Sequence, residues 1–437
     1  MITESSLHEY FMNLATFNYA KAKHIMDHSY SSSSHVKNDS KSGLSKLISG
    51  YITILNLERK YYAFDFLINK RKSIFSLRES HFDSYAELLV KILAIPPDKT
   101  TFESEFEDIF TIAKSSLAQI CDLRWRMTEM YLEISQIGRN NSRSIVNIVD
   151  IVRPIKEYLK QIVDLNRETT LSMTSPLLDV IELEVDTLMC LAEAQELMSN
   201  LYFLVPINLL HSANEKCQQL LQICSPLTTS GRIFSRNPTN LLLLSWLMEL
   251  YNVSLAKYSL YFHPILMQKM IHLPANNFTT YESRALDMVQ RITAFVKKAS
   301  VSSFLLVFDA TKQNHPFLGH GYVLPSNNGD RVSGLQSYPV IFSCPMESEL
   351  PHKWHCAIVM LIGHKMNNSI NCEEIEYLAE PDGTRTYFLA RIDIRVYLIL
   401  LFEGRREKEK LILNFIENVK TDLNGKSVID QLGSVAT

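Results

Sequence analysis

A histidine between two glycines is the arrangement in this sequence that most resembles a reactive site: Gly319, His320, Gly321 and Tyr322. Glycines can leave backbone amides exposed, and an imidazole beside them can act as a general base, so the segment would suit a hydrolase. The usual companions are missing. The sequence has no G-x-S-x-G motif and no G-x-x-x-x-G-K-[ST] loop, and Leu324 replaces the last glycine of G-x-G-x-x-G. The pattern therefore favours a structural turn, and a hydrolase that uses His320 is the enzymatic alternative.

Histidines and cysteines occur at two spacings that a zinc site could use. His24 and His28 are four residues apart on a predicted helix, which places both imidazoles on one face. A second group follows the pattern C-x7-H-x2-HC: Cys344, His352, His355 and Cys356. The helix offers neither the glutamate of a zinc protease nor a third ligand, and His355 and Cys356 are adjacent in a predicted strand, where they would point to opposite faces. No metal ligand is predicted in either place.

Acidic and aromatic clusters in the helices have ordinary structural explanations. Four carboxylates could share one face of a predicted helix, as in bundles that hold metal ions: Asp179, Glu182, Asp186 and Glu193. Such bundles use Glu-x-x-His pairs, which these helices lack, so we interpret the stripe as solvated or partner-facing. Arg124, Trp125 and Arg126 without a wider basic patch indicate a helix that packs its tryptophan and exposes its arginines. The sequence predicts no catalytic, cofactor-binding or metal-binding residue, and no nucleic-acid partner.

Composition and charge exclude several classes of protein but indicate no particular binding partner. The 437 residues include 44 Lys and Arg against 47 Asp and Glu, so no global attraction to nucleic acid or an anionic membrane is expected. Seven dispersed cysteines without a CxxC pair and an N-terminus without a signal-peptide pattern indicate reduced thiols in the cytosol. The apolar residues 241–270 include Glu249, Lys257 and His263, which favours a buried core helix over a membrane span.

Glycine usage divides the chain near residue 300. Of 13 glycines, four precede that residue and nine follow it, as expected where long helices give way to strands and tight turns. We predict a mainly α protein, with an N-terminal multi-helix bundle over residues 1–300 and a smaller α+β domain over residues 301–437 that has one sheet and packed helices. A serine-rich segment at about residues 29–43 has almost nothing to bury and is predicted to be a flexible loop.

Hydrophobic periodicity and capping signals locate the individual elements. Helices are predicted at residues 7–28, 44–77, 82–95 and 101–138, from 144, from 175, and at 206–223, 239–272 and 281–298. Runs of β-branched and aromatic residues predict strands at residues 301–308, 340–343, 357–362, 386–390 and 392–402. Two more helices are predicted at residues 372–378 and 405–423.

Short segments in a fixed order along the chain resemble the KICSTOR complex subunit 2 family. They are Phe11, Leu14, Phe17, Tyr19 and residues 21–23; residues 175–177, 183–186, 209–213, 246–248 and 256–263; and residues 308–309, 319–322, 338–339, 387–389 and 402–403. An ordered series through both predicted domains is hard to obtain by chance, so the chain is identified as a member of that family. The serine-rich loop, residues 215–240 and the cysteines between 344 and 356 depart from the family pattern.

The resemblance implies a non-enzymatic scaffold without a cofactor. KICSTOR proteins hold the GATOR complex, which activates GTP hydrolysis on Rag GTPases at the lysosomal surface and so restrains TOR complex 1 when amino acids or glucose are scarce. The implied partners are the other KICSTOR subunits, which include a large scaffold subunit and propeller subunits, and the GATOR complex. A cytosolic chain without direct membrane insertion would reach the lysosomal membrane through these partners. A helical adaptor outside nutrient signalling is the remaining alternative.

The helical region is expected to present rigid faces to the large scaffold subunit, with buried aromatic anchors that carry most of the affinity. Tyr258, Tyr261 and Phe262 belong to the apolar excess on which this expectation rests. Their position in the most apolar predicted helix favours core packing, so none of the three is predicted as a contact.

Overall fold

The computed structural model describes residues 3–32, 38–67, 84–95, 104–139, 148–168, 172–229, 241–270, 282–311, 337–345, 362–363 and 375–435. Thirteen α-helices, two short 3-10 helices and five strands have defined bounds within these ranges. The protein is mainly α and has a single five-stranded antiparallel sheet in its C-terminal part. The predicted fold class is therefore confirmed.

Eleven helices precede the sheet: α1 (Glu4–Ala15), α2 (Tyr19–Ser32), α3 (Asn38–Tyr62), α4 (Tyr85–Leu93), α5 (Ser104–Arg139), α6 (Ile148–Glu168), α7 (Ser175–Ser199), α8 (Leu204–Thr229), α9 (Leu242–Tyr261), α10 (His263–Met270) and α11 (Glu282–Ala299). Two more follow it: α12 (Lys410–Leu423) and α13 (Lys426–Val435). Across the described ranges, every helix is too short or too polar to cross a membrane.

Local hydrogen bonds explain where several helices begin. Thr3 and Ser6 form a capping box at the start of α1, in which each side chain accepts a hydrogen bond from the other residue's backbone N–H. Ser84 caps α4, because its hydroxyl accepts from the N–H of Glu87 at 3.1 Å. Pro176 lies in the first turn of α7, where its missing N–H leaves no helical hydrogen bond unmade.

Two predicted helices are each divided in two. The helix predicted at residues 7–28 breaks because Phe17 has φ 59°, a left-handed conformation that an α-helix cannot continue through, while the ring stays buried. The helix predicted at residues 239–272 ends before Phe262, and α10 begins at His263. Pro264 has no N–H to donate to the carbonyl four residues earlier, so one continuous helix would lose a hydrogen bond there.

The serine-rich segment predicted as a loop at residues 29–43 is mainly helical. Helix α2 continues to Ser32 and α3 begins at Asn38, so helix covers residues 29–32 and 38–43. Residues 33–37 lie outside the part of the chain that the structure describes. Met26 and Leu44, on either side of this segment, are buried. Because these neighbouring helical turns pack into the core, the helices can continue into polar residues that have only a weak intrinsic preference for helix.

The sheet consists of β1 (Ser303–Phe308), β2 (Val340–Cys344), β3 (Glu376–Ala379), β4 (Arg385–Arg391) and β5 (Val396–Glu403), in the order β2-β1-β5-β4-β3. All four pairings are antiparallel. Successive side chains of a strand point to opposite faces, so Phe304 and Leu306 join the core shared with the helices, whereas Leu305 and Val307 join a second cluster.

The predictions after residue 345 are partly wrong. Glu376–Ala379 forms the edge strand β3, paired with β4, where the end of a helix was predicted. This strand is short and only half-buried, so it lacks the alternation that identifies a strand in a sequence. Of the strand predicted at residues 357–362, only Ile362 is described, and it is helical. The last predicted helix begins at Lys410, and α13 follows it without having been predicted.

One hydrophobic core joins the helices to the sheet. Trp246 on α9 donates its indole N–H to the carbonyl oxygen of Val428 on α13 at 2.7 Å. The rings of Phe295 on α11 and Phe415 on α12 stack with their centroids 3.6 Å apart. Packing of this kind fixes the C-terminal helices against the preceding bundle.

Candidate functional site

The glycine-flanked histidine lies outside the described residues. Gly319, His320, Gly321 and Tyr322 fall within residues 312–336, so the hydrolase alternative stays a prediction. Three members of the second zinc candidate, His352, His355 and Cys356, fall within residues 346–361. The fourth, Cys344, is half-buried at the end of β2, with its thiol sulfur 3.7 Å from the hydroxyl of Thr293.

The candidate ligands on helices α2 and α7 are spread over the surface. Five of them have exposed or half-buried side chains: His24, His28, Asp179, Glu182 and Glu193. Asp186 instead pairs with Lys156 of α6, with 2.9 Å between the ammonium nitrogen and the carboxylate oxygen. Over the described ranges, no three His, Cys, Asp or Glu side chains are grouped so that they could hold a metal ion.

The interpretation of Arg124, Trp125 and Arg126 is wrong for two of the three residues. Arg124 is fully buried in α5, whereas Trp125 is 39% exposed. Arg126 is exposed, as predicted. The pattern is reversed because α3 and α7 present the carboxylates of Glu58 and Glu184 to the inward side of α5, and a buried guanidinium is stable only where such partners neutralise it.

Arg124 is the centre of a buried polar network. Its Nε and Nη2 atoms each donate to one carboxylate oxygen of Glu58 on α3, both at 2.8 Å, in the bidentate geometry that guanidinium groups prefer. Nη1 donates to Glu184 on α7 at 3.1 Å, and Nη2 also donates to the hydroxyl of Tyr62 at 3.0 Å. The fifth N–H faces the sulfur of Met127 at 3.6 Å, so no donor of the guanidinium is left for a ligand.

Tyrosine hydroxyls complete the network around the two glutamates. Tyr61 and Tyr131 both donate to Oε1 of Glu184, at 2.5 and 3.0 Å, and Tyr85 donates to Oε1 of Glu58 at 2.9 Å. The guanidinium carbon of Arg124 also lies 4.2 Å from the centroid of the Tyr61 ring, a cation–π contact. The network therefore joins α3, α4, α5 and α7 through groups that are all buried.

Burial and neighbouring charges together shift the pKa values of this network. Burial raises the pKa of Glu184 above its ordinary value, and the positive charge of Arg124, with the hydrogen bonds from Arg124 and the tyrosines, offsets only part of that effect. Burial by itself would lower the pKa of Arg124, but the neighbouring Glu58 and Glu184 raise it well above the ordinary value. Arg124 thus stays charged, and its bonds to Glu58 and Glu184 tie α5 to α3 and α7.

A second buried network joins the helices to the sheet. Lys257 on α9 forms an ion pair with Asp393, at the tip of the β4–β5 hairpin, with 2.7 Å between their nitrogen and oxygen atoms. Ser199 and Tyr261 donate to the same carboxylate oxygen at 2.9 and 3.0 Å. Burial by itself would raise the pKa of Asp393, but the charge of Lys257 and these hydrogen bonds lower it. Tyr258, Tyr261 and Phe262 are all buried, which confirms their interpretation as core.

Neither network was predicted from the sequence, although the position of Glu184 was a signal for the first. Glu184 lies between Leu183 and Val185 on α7 and shares a face with Ile181 and Leu188, at the spacing that marks buried positions. A carboxylate at such a position requires a buried cation or hydrogen-bond donors. The partner cannot be read from the chain, because Glu58, Arg124 and Glu184 come together only in the folded protein.

The surface of α5 and α6 next to the first network carries the exposed Trp125 and a contact between Arg126 and Tyr158. Trp125 lies beside Arg126, whose guanidinium carbon is 4.4 Å from the centroid of the Tyr158 ring on α6. Asp122 accepts hydrogen bonds from both Arg126 and Tyr158 and so fixes this geometry. Trp, Tyr and Arg are the residue types that contribute most often to binding energy at protein interfaces.

Comparison with known proteins identifies relatives over almost the whole chain. KICSTOR subunit 2 of Xenopus laevis is 24% identical over 443 residues, which cover 98% of this chain and 96% of the relative. KICSTOR subunit 2 of Danio rerio is 25% identical over 432 residues, which cover 94% and 92% of the two chains. A family model described as KICSTOR complex C12orf66 like matches residues 3–435. The chain therefore belongs to the KICSTOR complex C12orf66-like family, as its sequence segments predicted.

Proposed function

We propose that this chain is a non-catalytic scaffold subunit of a KICSTOR complex. In this role it binds the other KICSTOR subunits and helps to recruit the GATOR complex to the lysosomal membrane. TOR complex 1 is then restrained when amino acids or glucose are scarce. The chain itself resides in the cytosol and reaches the lysosome through these partners.

The family match over residues 3–435 is the observation that carries the proposal. Because it extends over both the helices and the sheet, the parts of the chain that could contact partners in the relatives have counterparts here. The relatives carry the name of a KICSTOR subunit, and that name supports assembly with the other subunits more directly than it supports the steps at GATOR and TOR complex 1.

The buried networks suit the proposed role, because a scaffold must hold its binding surfaces in fixed relative positions. Arg124 ties α5 to α3 and α7, and Lys257 ties α9 to the β4–β5 hairpin. A partner that contacts several of these elements at once would then bind without first ordering them, which reduces the entropic cost of association.

The proposal is tested by purifying the tagged full chain from its own cells, before and after amino-acid withdrawal, and identifying the recovered proteins by mass spectrometry. We expect the other KICSTOR subunits under both conditions, together with GATOR components. Lysosomal association should be lost when the large scaffold subunit is depleted. Recovery of the folded chain without any KICSTOR subunit would contradict the proposal and favour a helical adaptor outside nutrient signalling.

The helical region over residues 1–300 is proposed as the part that contacts the large scaffold subunit. A deletion would be hard to interpret, because α9 and α11 pack against α12 and α13. The sharper comparison uses full chains with the exposed aromatic Trp125 changed to alanine, and with Leu411 on α12 changed to alanine as the control. We expect only Trp125→Ala to weaken co-purification, and the opposite result would assign the contact to the C-terminal part.

A further inference from the structure

Helices α4, α5 and α6 share one outer surface, with α5 at its centre. Lys114 of α5 donates to the backbone carbonyls of Leu93 and Ile95 at the end of α4, at 3.5 and 2.5 Å. Arg126 of α5 lies against the ring of Tyr158 on α6. On a helix with 3.6 residues per turn, Lys114 and Arg126 point about 120° apart. The exposed stripe of α5 between these two contacts therefore lies between α4 and α6.

Both flanking helices run antiparallel to α5. The end of α4 lies at Lys114, whereas Tyr85 at its start donates to Glu58, the partner of Arg124. Helix α6 follows α5 after residues 140–147, a connection too short to return along the whole of α5 before α6 begins. Positions late in α4 and late in α6 are therefore level with the first half of α5.

Large apolar side chains are exposed on both sides of the stripe. Leu88 and Ile92 of α4 face α3 and α5, so the right-handed winding of α4 places Leu93 on the side next to the stripe, where it is 61% exposed. Leu165 follows Tyr158 by two turns on the same face of α6 and is 54% exposed. Because both helices run antiparallel to α5, Leu93 and Leu165 lie at the same level on either side of it.

Small side chains on α5 between these larger ones leave a shallow groove along the helix. Ser115 is exposed and Ala118 is half-buried, and Trp125, 39% exposed, lies at one end. We call this surface the α5 groove, formed by Leu93, Ser115, Ala118, Trp125, Tyr158 and Leu165. Packed helices have axes about 8–10 Å apart, so the axes of α4 and α6 are about 16–20 Å apart across α5. A further helix, about 10 Å wide, fits between their side chains.

The charged side chains along the exposed stripe of α5 are acidic on balance. Asp108 precedes the groove, and Glu129 and Glu133 follow it at a spacing of one turn; all three side chains are exposed. Arg126 is the cation of the stripe and is already paired with Asp122 at 3.0 Å. Among the residues that the structure describes, no Lys or Arg forms an ion pair with Asp108, Glu129 or Glu133. Both ends of the groove therefore carry uncompensated negative charge.

The other cations near the groove do not alter this balance. The ammonium group of Lys114 is directed at the carbonyls that end α4. On the flanking helices, the lysines nearest to the groove are each two residues from Leu93 or Tyr158, which turns them about 160° away from it: Lys91, Lys156 and Lys160. Arg153 on α6 pairs with Asp150 on the same helix.

We propose that the α5 groove binds an amphipathic helix of another KICSTOR subunit, with Lys or Arg next to its apolar face. The apolar face covers Leu93, Ala118 and Leu165 and ends against Trp125, and the cations lie over Glu129 and Glu133. An apolar helix face in a groove is a common mode of peptide recognition, and opposite charges at the rim select the partner and speed its association. This inference rests on the proposed function and adds to it a surface and the chemistry of its partner.

The test measures binding of the purified full chain to the purified assembly of the other KICSTOR subunits. One variant, Ser115→Trp, fills the groove, and a second, Glu129→Lys with Glu133→Lys, reverses the charge at its end. The matched controls are Asn414→Trp and Glu417→Lys, which make the same kinds of change at exposed positions of α12. All the changed residues are exposed, and thermal unfolding of each variant checks the fold.

We expect Ser115→Trp to weaken binding about tenfold or more, with the thermal transition unchanged. The charge reversal should slow association about tenfold at low ionic strength and much less at high ionic strength, because salt screens exposed charges. Both α12 controls should bind like the unmodified chain.

Three results would overturn the inference, and they differ from a failure of the proposed function. If the unmodified chain assembles and Ser115→Trp assembles equally well, the α5 groove is not the binding surface. If Ser115→Trp instead splits a dimer of the chain alone, as measured by light scattering, a second copy occupies the groove. If the charge reversal leaves association unchanged or speeds it, the partner is not basic.

The proposed function stands in each of these cases, because the unmodified chain still joins the other subunits. If the unmodified chain binds no KICSTOR subunit, the proposed function fails, and the α5 groove loses its proposed partner with it.

Discussion

Arg124 holds two buried carboxylates in place, and its removal would leave Glu58 and Glu184 without a cation. We predict that Arg124→Met lowers the free energy of unfolding by about 3–5 kcal/mol, the cost of breaking a buried ion pair by removing one partner. Arg126→Met is the control, because Arg126 lies on the same helix but is exposed and pairs with Asp122 at the surface. It should change stability by less than about 1 kcal/mol. Urea unfolding measures the free energy of unfolding of both variants. Equal losses of stability would contradict the conclusion that the buried network stabilises the fold.

The carboxyl of Asp393 makes the stability of the folded protein depend on pH in the acid range. In the folded protein the pKa of the Asp393 carboxyl is lower than its ordinary value of 3.8. The unfolded chain therefore binds a proton at this carboxyl more tightly than the folded chain does. The stabilisation is therefore complete above the ordinary pKa and is lost as the pH falls through the lower folded value. We predict that the stability of the unmodified chain falls below about pH 4 and that Asp393→Asn removes part of this fall. Unfolding curves from neutral to acid pH test this. Asp150→Asn, at an exposed position on α6, should lose as much stability at low pH as the unmodified chain does.

The sequence predicts the burial of a side chain correctly where the residue type and its neighbours in the chain determine it. The prediction fails where a partner distant in sequence determines the burial. The burial of Tyr258, Tyr261 and Phe262 follows from their apolar surroundings in the chain. Arg124 and Trp125 have the reverse of the expected exposure, because two carboxylates distant in sequence stabilise the buried guanidinium. The preference of one residue type could not reveal that arrangement.

At the scale of elements, Ser300 ends α11 in a conformation that its side chain disfavours. It has φ 54°, and the N–H of Val301 donates to the carbonyl of Val296 at 3.0 Å, the pattern of a helix that ends in a left-handed residue. We predict that Ser300→Gly stabilises the protein by about 1 kcal/mol, because glycine adopts this conformation without steric cost. Ser300→Ala, which keeps a Cβ atom, should give no such gain. Urea unfolding compares the two, and equal stabilisation would exclude the backbone explanation.

Element prediction was most accurate where a long segment carries a clear local signal. Apolar spacing predicts α7, capping and first-turn acidic residues predict α5, a long apolar stretch predicts most of α9, and the β-branched runs predict β1, β4 and β5. The breaks were missed because they depend on single residues: Phe17 adopts a left-handed conformation to keep its ring in the core. The edge strand β3 was missed because pairing with β4, rather than its own pattern, makes it a strand.

At the scale of the whole molecule, the continuous core predicts that the helices and the sheet unfold together. Trp246 contacts Val428, Phe295 stacks on Phe415, and Lys257 pairs with Asp393, so the helices before residue 300 and the elements after it share buried contacts. We predict a single thermal transition for the full chain, with the same midpoint by far-ultraviolet circular dichroism and by tryptophan fluorescence.

A fragment of residues 1–300 should then lose the packing partners of α9 and α11 and expose the apolar surface that they cover in the full chain. We expect it to bind a hydrophobic dye and to unfold with reduced cooperativity. Co-expression with residues 301–437 as a separate chain should restore the single transition, because the core contacts do not require a continuous backbone. A fragment that unfolds as cooperatively as the full chain, together with two separate transitions in the full chain, would mean that the shared core contributes little. The predicted division near residue 300 would in that case mark two independent folding units as well as a change of architecture.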